Sequence, residues 1–385
     1  MNAPATFPSA PIVVTSPERR LDPLLMKARG GFAWWYLDLV GPDGDGVVLI
    51  WSFGLPFLPG YLGGARRGEA PKAGARPSLN VAVYQGGEEV MYLLQEYPEA
   101  DAHWDEDRFV FGDSTVRSQV EGGRRLVDVA LDCPIPGSDT RLTGTVSFDG
   151  VARMGGGPTQ LPLHEHDWTP LAGPGRGRAS LRAGDWSAEI EGRGYHDRNG
   201  SRTHLDGLGI EHWVWGRVPL EDRELVYYLL YPRRGAPTFH AMEIDANGQT
   251  RRVDGLTVEL GRSERTRWGM PYWPTVTLRQ HGHLWATVRH SNLVDDGPFY
   301  LRFQTTVEVA GETAHGSGEL IRPGRIDRAV VRSMVRMKVH QVGEANSHVL
   351  PFLTGPKPSR VWRYLRQAVP SRAALPARLQ ELRGG

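Results

Sequence analysis

The sequence predicts an all-β protein of sandwich or barrel type with two sheet-rich halves. Glycine and proline account for 47 and 29 of the 385 residues, which favours many turns over long helices. Short runs rich in Val, Tyr, Phe and Trp recur from Gly31 onward, with turn sequences such as Asn247-Gly248 between them. At this length, and with 40% hydrophobic residues, the chain can build one large or two medium domains.

The predicted strands follow one another along both halves. Those of the N-terminal half are Trp34–Leu39, Val47–Phe53, Leu79–Tyr84, Val90–Gln95, Arg108–Phe111, Leu126–Leu131 and Leu142–Phe148. Trp186–Glu191 follows before residue 200, and those of the C-terminal half are His212–Arg217, Leu225–Tyr231, Phe239–Asp245, Val276–Leu278, Leu284–Val288 and Tyr300–Val309. Asn199-Gly200-Ser201 reads as a break between the series, so we expect a domain boundary near residue 200. Arg176–Arg182 is basic without interleaved aromatic residues and reads as a surface loop.

These features divide the chain into four parts. Residues 1–27 are predicted to be a flexible arm, 28–200 and 201–325 to be two β domains, and 326–385 to be a basic, partly helical tail. The tail owes its charge to 13 Lys and Arg against 3 Asp and Glu from Ile321 onward. A basic tail on an acidic body suits an anionic membrane surface, although a solvated terminal helix fits equally well.

Two helices are predicted in this tail. Val330, Met334 and Met337 recur at helical intervals, and Ser359 is placed to cap a second helix that carries Trp362 on its apolar side. A basic amphipathic helix with Trp either lies on a membrane or packs against the body. The sequence leaves both alternatives open.

Composition limits the classes of function. The net charge of +1 predicts no bulk attraction to nucleic acid. Cys133 is the single cysteine, so no internal disulfide forms, and a reducing compartment is the simplest inference, although a disulfide-free periplasmic protein would look the same. The N-terminus lacks a signal-peptide pattern, and the apolar stretch from Val47 to Leu62 is broken by Pro56 and Pro59. We therefore expect a cytoplasmic protein that associates with membranes peripherally.

Two short motifs carry the candidate chemistry: His166-Asp167-Trp168 and Tyr195-His196-Asp197. On extended strands alternate side chains share a face, so His166 pairs with Trp168 and Tyr195 pairs with Asp197. If the two faces meet in one cavity, they supply an acid, a base and two aromatic walls. This set suits protonation of an alkene and capture of the cation by water.

Each predicted role has a physical reason and an alternative. Asp197 can protonate carbon only if burial keeps it neutral, but Asp197-Arg198-Asn199-Gly200 also resembles a turn. His166 would act as base or direct water, unless it is an exposed loop histidine. Trp168 and Tyr195 would stabilise a cation with their ring faces, unless Trp168 is part of the core.

His164-Glu165-His166 also resembles a pair of metal ligands. A cupin-type site would need a Glu about four residues further on, and positions 169 and 170 are Thr169 and Pro170. We therefore predict no metal.

Two pairs of aromatic residues are candidates for the substrate wall. Trp34 and Tyr36 share one strand face, and so do Trp213 and Trp215. Residues in this pattern either line a binding site or fill the core between sheets.

Several sequence blocks resemble the carotenoid 1,2-hydratase family, also called hydroxyneurosporene synthase. They are Gly30-Gly31-Phe32-Ala33-Trp34-Trp35-Tyr36, Leu79-Asn80-Val81-Ala82-Val83-Tyr84, Gly194-Tyr195-His196-Asp197-Arg198-Asn199 and Trp213-Val214-Trp215-Gly216. The resemblance spans residues 28 to 345. It implies two tandem lipocalin-like β domains with a hydrophobic site near their junction. It also implies addition of water, without a cofactor, to the terminal C1–C2 double bond of an acyclic carotenoid such as lycopene or neurosporene, giving a tertiary alcohol.

In this family a His-x-Trp pair and a Tyr-x-Asp pair are important. They correspond here to His166 and Trp168, and to Tyr195 and Asp197. The wider lipocalin-like superfamily includes polyene cyclases, so a related cyclase is the alternative enzyme. A lipid or pigment carrier is the alternative without catalysis, although such a protein gains little from burying an Asp and a His.

Overall fold

The computed structural model describes residues 12–59, 61–105, 107–158 and 166–357, and most of its strands form two curled sheets. The strands are, in chain order, β1 (Ile12–Val14), β2 (Phe32–Val40), β3 (Gly46–Phe53), β4 (Pro77–Gln85), β5 (Glu88–Glu96), β6 (Ala102–Trp104), β7 (Arg108–Phe111), β8 (Ser114–Glu121), β9 (Arg124–Pro134), β10 (Arg141–Ala152), β11 (His166–Ala183), β12 (Trp186–Ser201), β13 (Ile210–Pro219), β14 (Arg223–Pro232), β15 (Thr238–Asp245), β16 (Thr250–Arg252), β17 (Leu256–Leu260), β18 (Glu264–Arg265), β19 (Pro271–Tyr272), β20 (Thr275–Gln280), β21 (His283–Asp296), β22 (Tyr300–Val309), β23 (Glu312–Ile321), β24 (His340–Gln341) and β25 (Gly355–Pro356). The helices are α1 (Pro23–Lys27), α2 (Tyr61–Arg66), α3 (Ala329–Arg336) and α4 (Leu350–Leu353), with 3₁₀ turns at Pro42–Gly44, Ala73–Ala75, Glu99–Asp101 and Pro323–Arg325.

Each sheet is mainly antiparallel. The first has the order β24-β5-β4-β3-β2-β12-β11-β10-β9-β8-β7-β6, with β1 beside β11 and β25 beside β5. The second has the order β16-β15-β14-β13-β23-β22-β21-β20-β17, and β18 and β19 form a separate pair. Every run predicted as a strand lies inside an observed strand, so the all-β prediction is confirmed.

Alternation of side chains along the strands separates three large cores in the described part of the chain. In β2, Trp35 points into the core of the first sheet, whereas Trp34 and Tyr36 point into a core between the sheets. In β13, Val214 packs inside the second sheet, whereas Trp213 packs into the same shared core. The central strands of both sheets are therefore apolar on both faces, and the candidate motifs lie in the shared core.

A buried ion network ties the two sheets together. Arg217 of β13 contacts Asp38 of β2 at 2.8 Å and Glu224 of β14 at 3.2 Å. Its guanidinium also donates to the backbone oxygen of Arg193 at 2.9 Å, and the Ser317 hydroxyl donates to Asp38 at 2.9 Å. Because an unpaired buried charge is strongly destabilising, this network fixes how one sheet sits on the other.

The prediction of a flexible arm over residues 1–27 is wrong for the part that the structure describes. Strand β1 runs parallel to β11, with Ile12 opposite His166 and Val14 opposite Trp168. Ile12 and Val14 are buried, because their alternation presents one apolar face to the shared core. Helix α1 follows, capped by the side chain of Asp22.

Arg176–Arg182 is not a surface loop but the second half of β11. Its arginines are exposed, whereas Gly177, Ala179 and Leu181 between them are buried. The period of two was present in the sequence, but small residues on the buried face obscured it.

The tail packs on the body over its described part. Helix α3 is present where a helix was predicted, but its buried residues are Val331 and Val335, and Val330 is 72% exposed. Strands β24 and β25 pair with β5 at the edge of the first sheet. The helix predicted from Ser359 through Trp362 lies outside the described residues. In the described part of the chain, no helix has the length and apolar character needed to cross a membrane.

Candidate active site

The two predicted motifs meet on the neighbouring strands β11 and β12. In their antiparallel register Trp168 lies opposite Asn199, two residues beyond Asp197. Both Trp168 and Tyr195 pack in the shared core, and His166 contacts aromatic rings of that core. The structure therefore brings all four predicted catalytic residues together at the junction of the sheets.

Asp197 is the centre of the group, because three side chains donate hydrogen bonds to it. The Trp168 indole N–H donates to Oδ2 at 2.8 Å, and the Tyr195 hydroxyl donates to the same oxygen at 3.2 Å. The Asn199 amide donates to Oδ1 at 3.2 Å. Oδ2 is occupied by two donors, so the proton of the neutral acid belongs on Oδ1.

The surroundings of Asp197 keep it protonated at neutral pH. Burial raises the pKa of this carboxyl to about 8, against the downward effect of the bonds from Trp168 and Tyr195. The charges of Glu319 and Asp38 raise this pKa further. A neutral carboxylic acid in an aromatic environment is the group that protonation of an alkene requires.

His166 acts on this acid through Asn199. Its Nε2 lies 3.0 Å from the Asn199 side-chain oxygen, which can only accept, so Nε2 carries the proton and donates. Burial lowers the pKa of His166 to about 4, so the ring is neutral at pH 7. This bond fixes the amide of Asn199 in the orientation that points its N–H group at Asp197.

A cavity of about 870 Å³ opens between the sheets beside Asp197. Asp197 and Asn199 reach its wall, whereas His166, Trp168 and Tyr195 lie one layer behind and are not among the lining residues. Trp168 and Tyr195, which the sequence predicts to face a cation, donate hydrogen bonds to the acid instead. His166, which the sequence predicts to direct water, contacts Asn199.

All four residues predicted to bind substrate line this cavity: Trp34, Tyr36, Trp213 and Trp215. The ring of Tyr36 lies 5.0 Å from that of Trp215, so the two sheets meet across the cavity wall. Further apolar lining residues include Ile50, Leu55, Phe57, Ala82, Tyr84 and Phe299.

The sequence did not predict the polar residues of the wall, which include Asn199, Tyr228, Arg302 and Glu319. Asn199 had a signal, since it follows Asp197 by two residues on one strand and therefore shares its face. Arg302 and Glu319 lie on separate strands and become neighbours only through the pairing of β22 with β23.

His164 and Glu165, two of the three residues in the possible metal motif, lie outside the described residues. Within the ranges that the structure describes, no three His, Cys, Asp or Glu side chains come together in a way that could hold a metal ion.

Comparison with known proteins gives a consistent family signal. The family model described as carotenoid hydratase CrtC matches residues 50–346. An acyclic carotenoid 1,2-hydratase of Thiocapsa roseopersicina is 28% identical over 324 residues, which cover 82% of this chain and 74% of that protein. A hydroxyneurosporene dehydrogenase of Chlorobaculum tepidum is 24% identical over 355 residues, covering 84% and 90% of the two chains.

Two solved structures share the fold. A putative AttH from Nitrosomonas europaea superposes with a TM-score of 0.52 at 17% identity, covering 79% of this chain and 98% of that chain. CghA bound to Sch210972 superposes with a TM-score of 0.53 at 12% identity, covering 83% and 96%. These neighbours confirm the lipocalin-like fold expected from the resemblance.

Proposed function

The chain belongs to the carotenoid hydratase family and is a hydratase, and we propose that it hydrates the terminal C1–C2 double bond of an acyclic carotenoid of the lycopene or neurosporene type. The product would be a tertiary alcohol. The observation that carries this proposal is a buried carboxylic acid with a pKa of about 8 at the wall of an aromatic cavity. Its volume of about 870 Å³ falls within the roughly 300–1,000 Å³ of sites that enclose small ligands.

In the proposed first step Asp197 delivers its Oδ1 proton to carbon 2 of the terminal isoprenoid unit. Positive charge then develops at carbon 1, where two methyl groups stabilise it. Trp168 and Tyr195 act as positioning residues, because their N–H and O–H groups hold Oδ2 and thereby orient the proton on Oδ1.

The aromatic residues of the wall bind the polyene and face the developing cation. Trp34 and Tyr36 come from the first sheet, and Trp213 and Trp215 from the second. A cation over a desolvated aromatic ring gains up to about 2 kcal/mol, which favours the transition state over the neutral substrate. Every step in this scheme is a proton transfer or the addition of water, so we propose that no cofactor takes part.

His166 supports the acid indirectly in this scheme. As a neutral ring it holds the Asn199 amide, and Asn199 in turn donates to Oδ1 of Asp197. Losing His166 would free the amide to rotate and present its oxygen to the acid.

We further propose that the substrate enters from an anionic lipid surface, with the protein attached peripherally on the cytoplasmic side. Met334 of α3 and Leu353 of α4 line the cavity, while Val330 and Phe352 on the same helices are 72% and 71% exposed. Arg328, Arg332 and Arg336 are exposed on or beside α3. Exposed apolar residues among arginines suit the interface of an anionic bilayer. We propose no nucleic-acid partner.

The experiment uses the full-length protein, liposomes containing lycopene or neurosporene, and water labelled with heavy oxygen. Mass spectrometry should find a carotenoid that has gained one labelled water. A rearranged carotenoid of unchanged mass would replace the hydratase proposal with a polyene cyclase. An unchanged carotenoid retained in stoichiometric amount would replace it with a carrier.

A further inference from the structure

One row of side chains on the second sheet faces the cavity opposite Asp197. Trp215 of β13 lies directly across from Tyr228 of β14 on one side and from Glu319 of β23 on the other. Glu319 in turn lies across from Arg302 of β22. Directly paired residues share a sheet face, and all four line the cavity.

This row packs against the side chains that hold the acid. The ring of Trp215 is 5.8 Å from that of Tyr195, and the ring of Tyr228 is 5.2 Å from that of Trp168. Tyr195 and Trp168 are the two donors to Oδ2 of Asp197. The row and the acid therefore face one region of the cavity.

The hydrogen bonding of the row differs from that of the acid. The Trp215 indole nitrogen and the Tyr228 hydroxyl are buried, and among the described residues neither has a hydrogen-bond partner. Glu319 is ion-paired with Arg302 at 2.6 Å, and Arg302 also donates to the hydroxyl of Tyr36 at 2.9 Å. The row thus presents two free donors and one carboxylate whose charge a guanidinium stabilises.

We propose that this row is the water-binding half of the active site, in which the Glu319 carboxylate accepts a proton from the attacking water. The Trp215 N–H or the Tyr228 O–H donates to the water oxygen and orients its remaining lone pair. This inference rests on the proposed hydration and adds the proton acceptor that the reaction needs. His166 does not fill that role, because it lies behind the cavity wall and is not among the lining residues.

The proton balance closes with these groups. Asp197 transfers a proton to carbon 2, and a C–H bond replaces the π bond. The water oxygen bonds to carbon 1 and loses one proton to Glu319, leaving a neutral alcohol. Asp197 ends ionised and Glu319 protonated, and proton exchange through water restores both before the next turnover.

The central test is Glu319→Gln, which keeps the shape of the side chain and removes the proton acceptor. We expect turnover to fall about 10²–10⁴-fold, the usual range for a lost general base, while carotenoid affinity measured by tryptophan quenching stays within a few-fold. Glu319→Asp should recover part of the turnover. Glu308→Gln is the matched control, because Glu308 is an exposed, ion-paired glutamate on β22 outside the cavity.

The pH profile separates proton acceptance from a purely structural role. Glu319 must be ionised, so wild-type activity should fall as the pH drops through the pKa of Glu319, which burial raises against the opposing charge of Arg302. The other groups that act on Glu319 are Tyr300, Asp38 and Asp295. In Glu319→Gln the residual activity should no longer fall on the acid side.

Two further variants test the donors. Tyr228→Phe keeps the ring and removes the O–H group, so it should lower kcat about 5- to 10-fold with little change in KM. Trp215→Phe removes the N–H group together with part of the aromatic wall, so kcat should fall at least as far and KM should rise. The inference is overturned if Glu319→Gln keeps wild-type turnover, retains the acid-side fall, or loses carotenoid affinity together with turnover. Label uptake by the wild-type protein would still support hydration in those cases, so the two proposals fail separately.

Discussion

The two sheets contribute to the cavity in different ways. On the first sheet both oxygens of Asp197 accept hydrogen bonds, from Trp168, Tyr195 and Asn199. On the second sheet the donor groups of Trp215 and Tyr228 have no partner among the described residues. A saturated network holds one proton in one position, whereas free donors suit a small molecule that binds and leaves in each cycle. We call the first group, Asp197 with its three donors and His166, the acid half of the active site, and the row on the second sheet the water half.

The largest effect is expected from the loss of the acid itself. Asp197→Asn removes the transferable proton, so hydration should fall by about 10²–10⁴-fold or more in the label-uptake assay. Stability should not fall with it. In the folded protein the pKa of Asp197 is about 8, above the usual value of 3.8. The unfolded chain therefore ionises first, and the free energy of unfolding of the wild type falls as the pH rises from 3.8 to about 8. The variant should therefore unfold at the same temperature as the wild type at pH 7, or higher, by thermal denaturation. An active variant would remove Asp197 from the mechanism.

A moderate effect is expected from a variant that changes the pKa of Asp197 and keeps its carboxyl group. Tyr195→Phe deletes a hydrogen bond that favours the ionised form of Asp197, so the pKa of that group should rise. The alkaline side of the pH–rate profile, where neutral Asp197 is lost, should move up by about one pH unit. Tyr227→Phe is the matched control, since it deletes a buried hydroxyl inside the core of the second sheet. Equal shifts in both variants would argue against a bond-specific effect.

The smallest effect is expected for a variant that changes how the protein binds the lipid surface from which the substrate enters. Val330→Asp places a charge on the exposed side of α3 and should weaken binding to anionic vesicles roughly tenfold in a sedimentation assay. Turnover of a detergent-dispersed carotenoid should remain unchanged. Val120→Asp provides the control, because Val120 is 52% exposed on β8 and does not line the cavity. Equal loss in both variants would contradict entry through α3.

The sequence predicted four residues of the acid half, because their spacing along single strands is local, but it missed Asn199. Tyr195 and Asp197 share a strand face by a spacing of two, and the same spacing relates His166 to Trp168. The family resemblance named the same residues. The water half depends on long-range pairing, since Glu319 meets Trp215 only when β13 pairs with β23. Single-strand periodicity carries no information about such a partner.

The orientation of rings was also beyond the sequence. Alternation places Trp168 and Tyr195 towards the shared core, but it does not distinguish a ring that faces the cavity from one that hydrogen-bonds behind it. The polarity of Asp197 decides this, because a buried carboxyl takes the nearest N–H and O–H donors. The arm was mispredicted for a related reason: three residues are too few for periodicity to identify β1 without its partner β11.

The pairing of β24 and β25 with β5 has a consequence for the order of synthesis. A ribosome releases the first sheet early, but the strands that cover its β5 edge come from residues 340–356, after the whole second sheet. The charge of Asp38 is likewise compensated only after Arg217 and Ser317 have been synthesised. The N-terminal half therefore emerges with an open sheet edge and with the face that carries Asp38 still uncovered, and it reaches its final state only when translation is nearly complete.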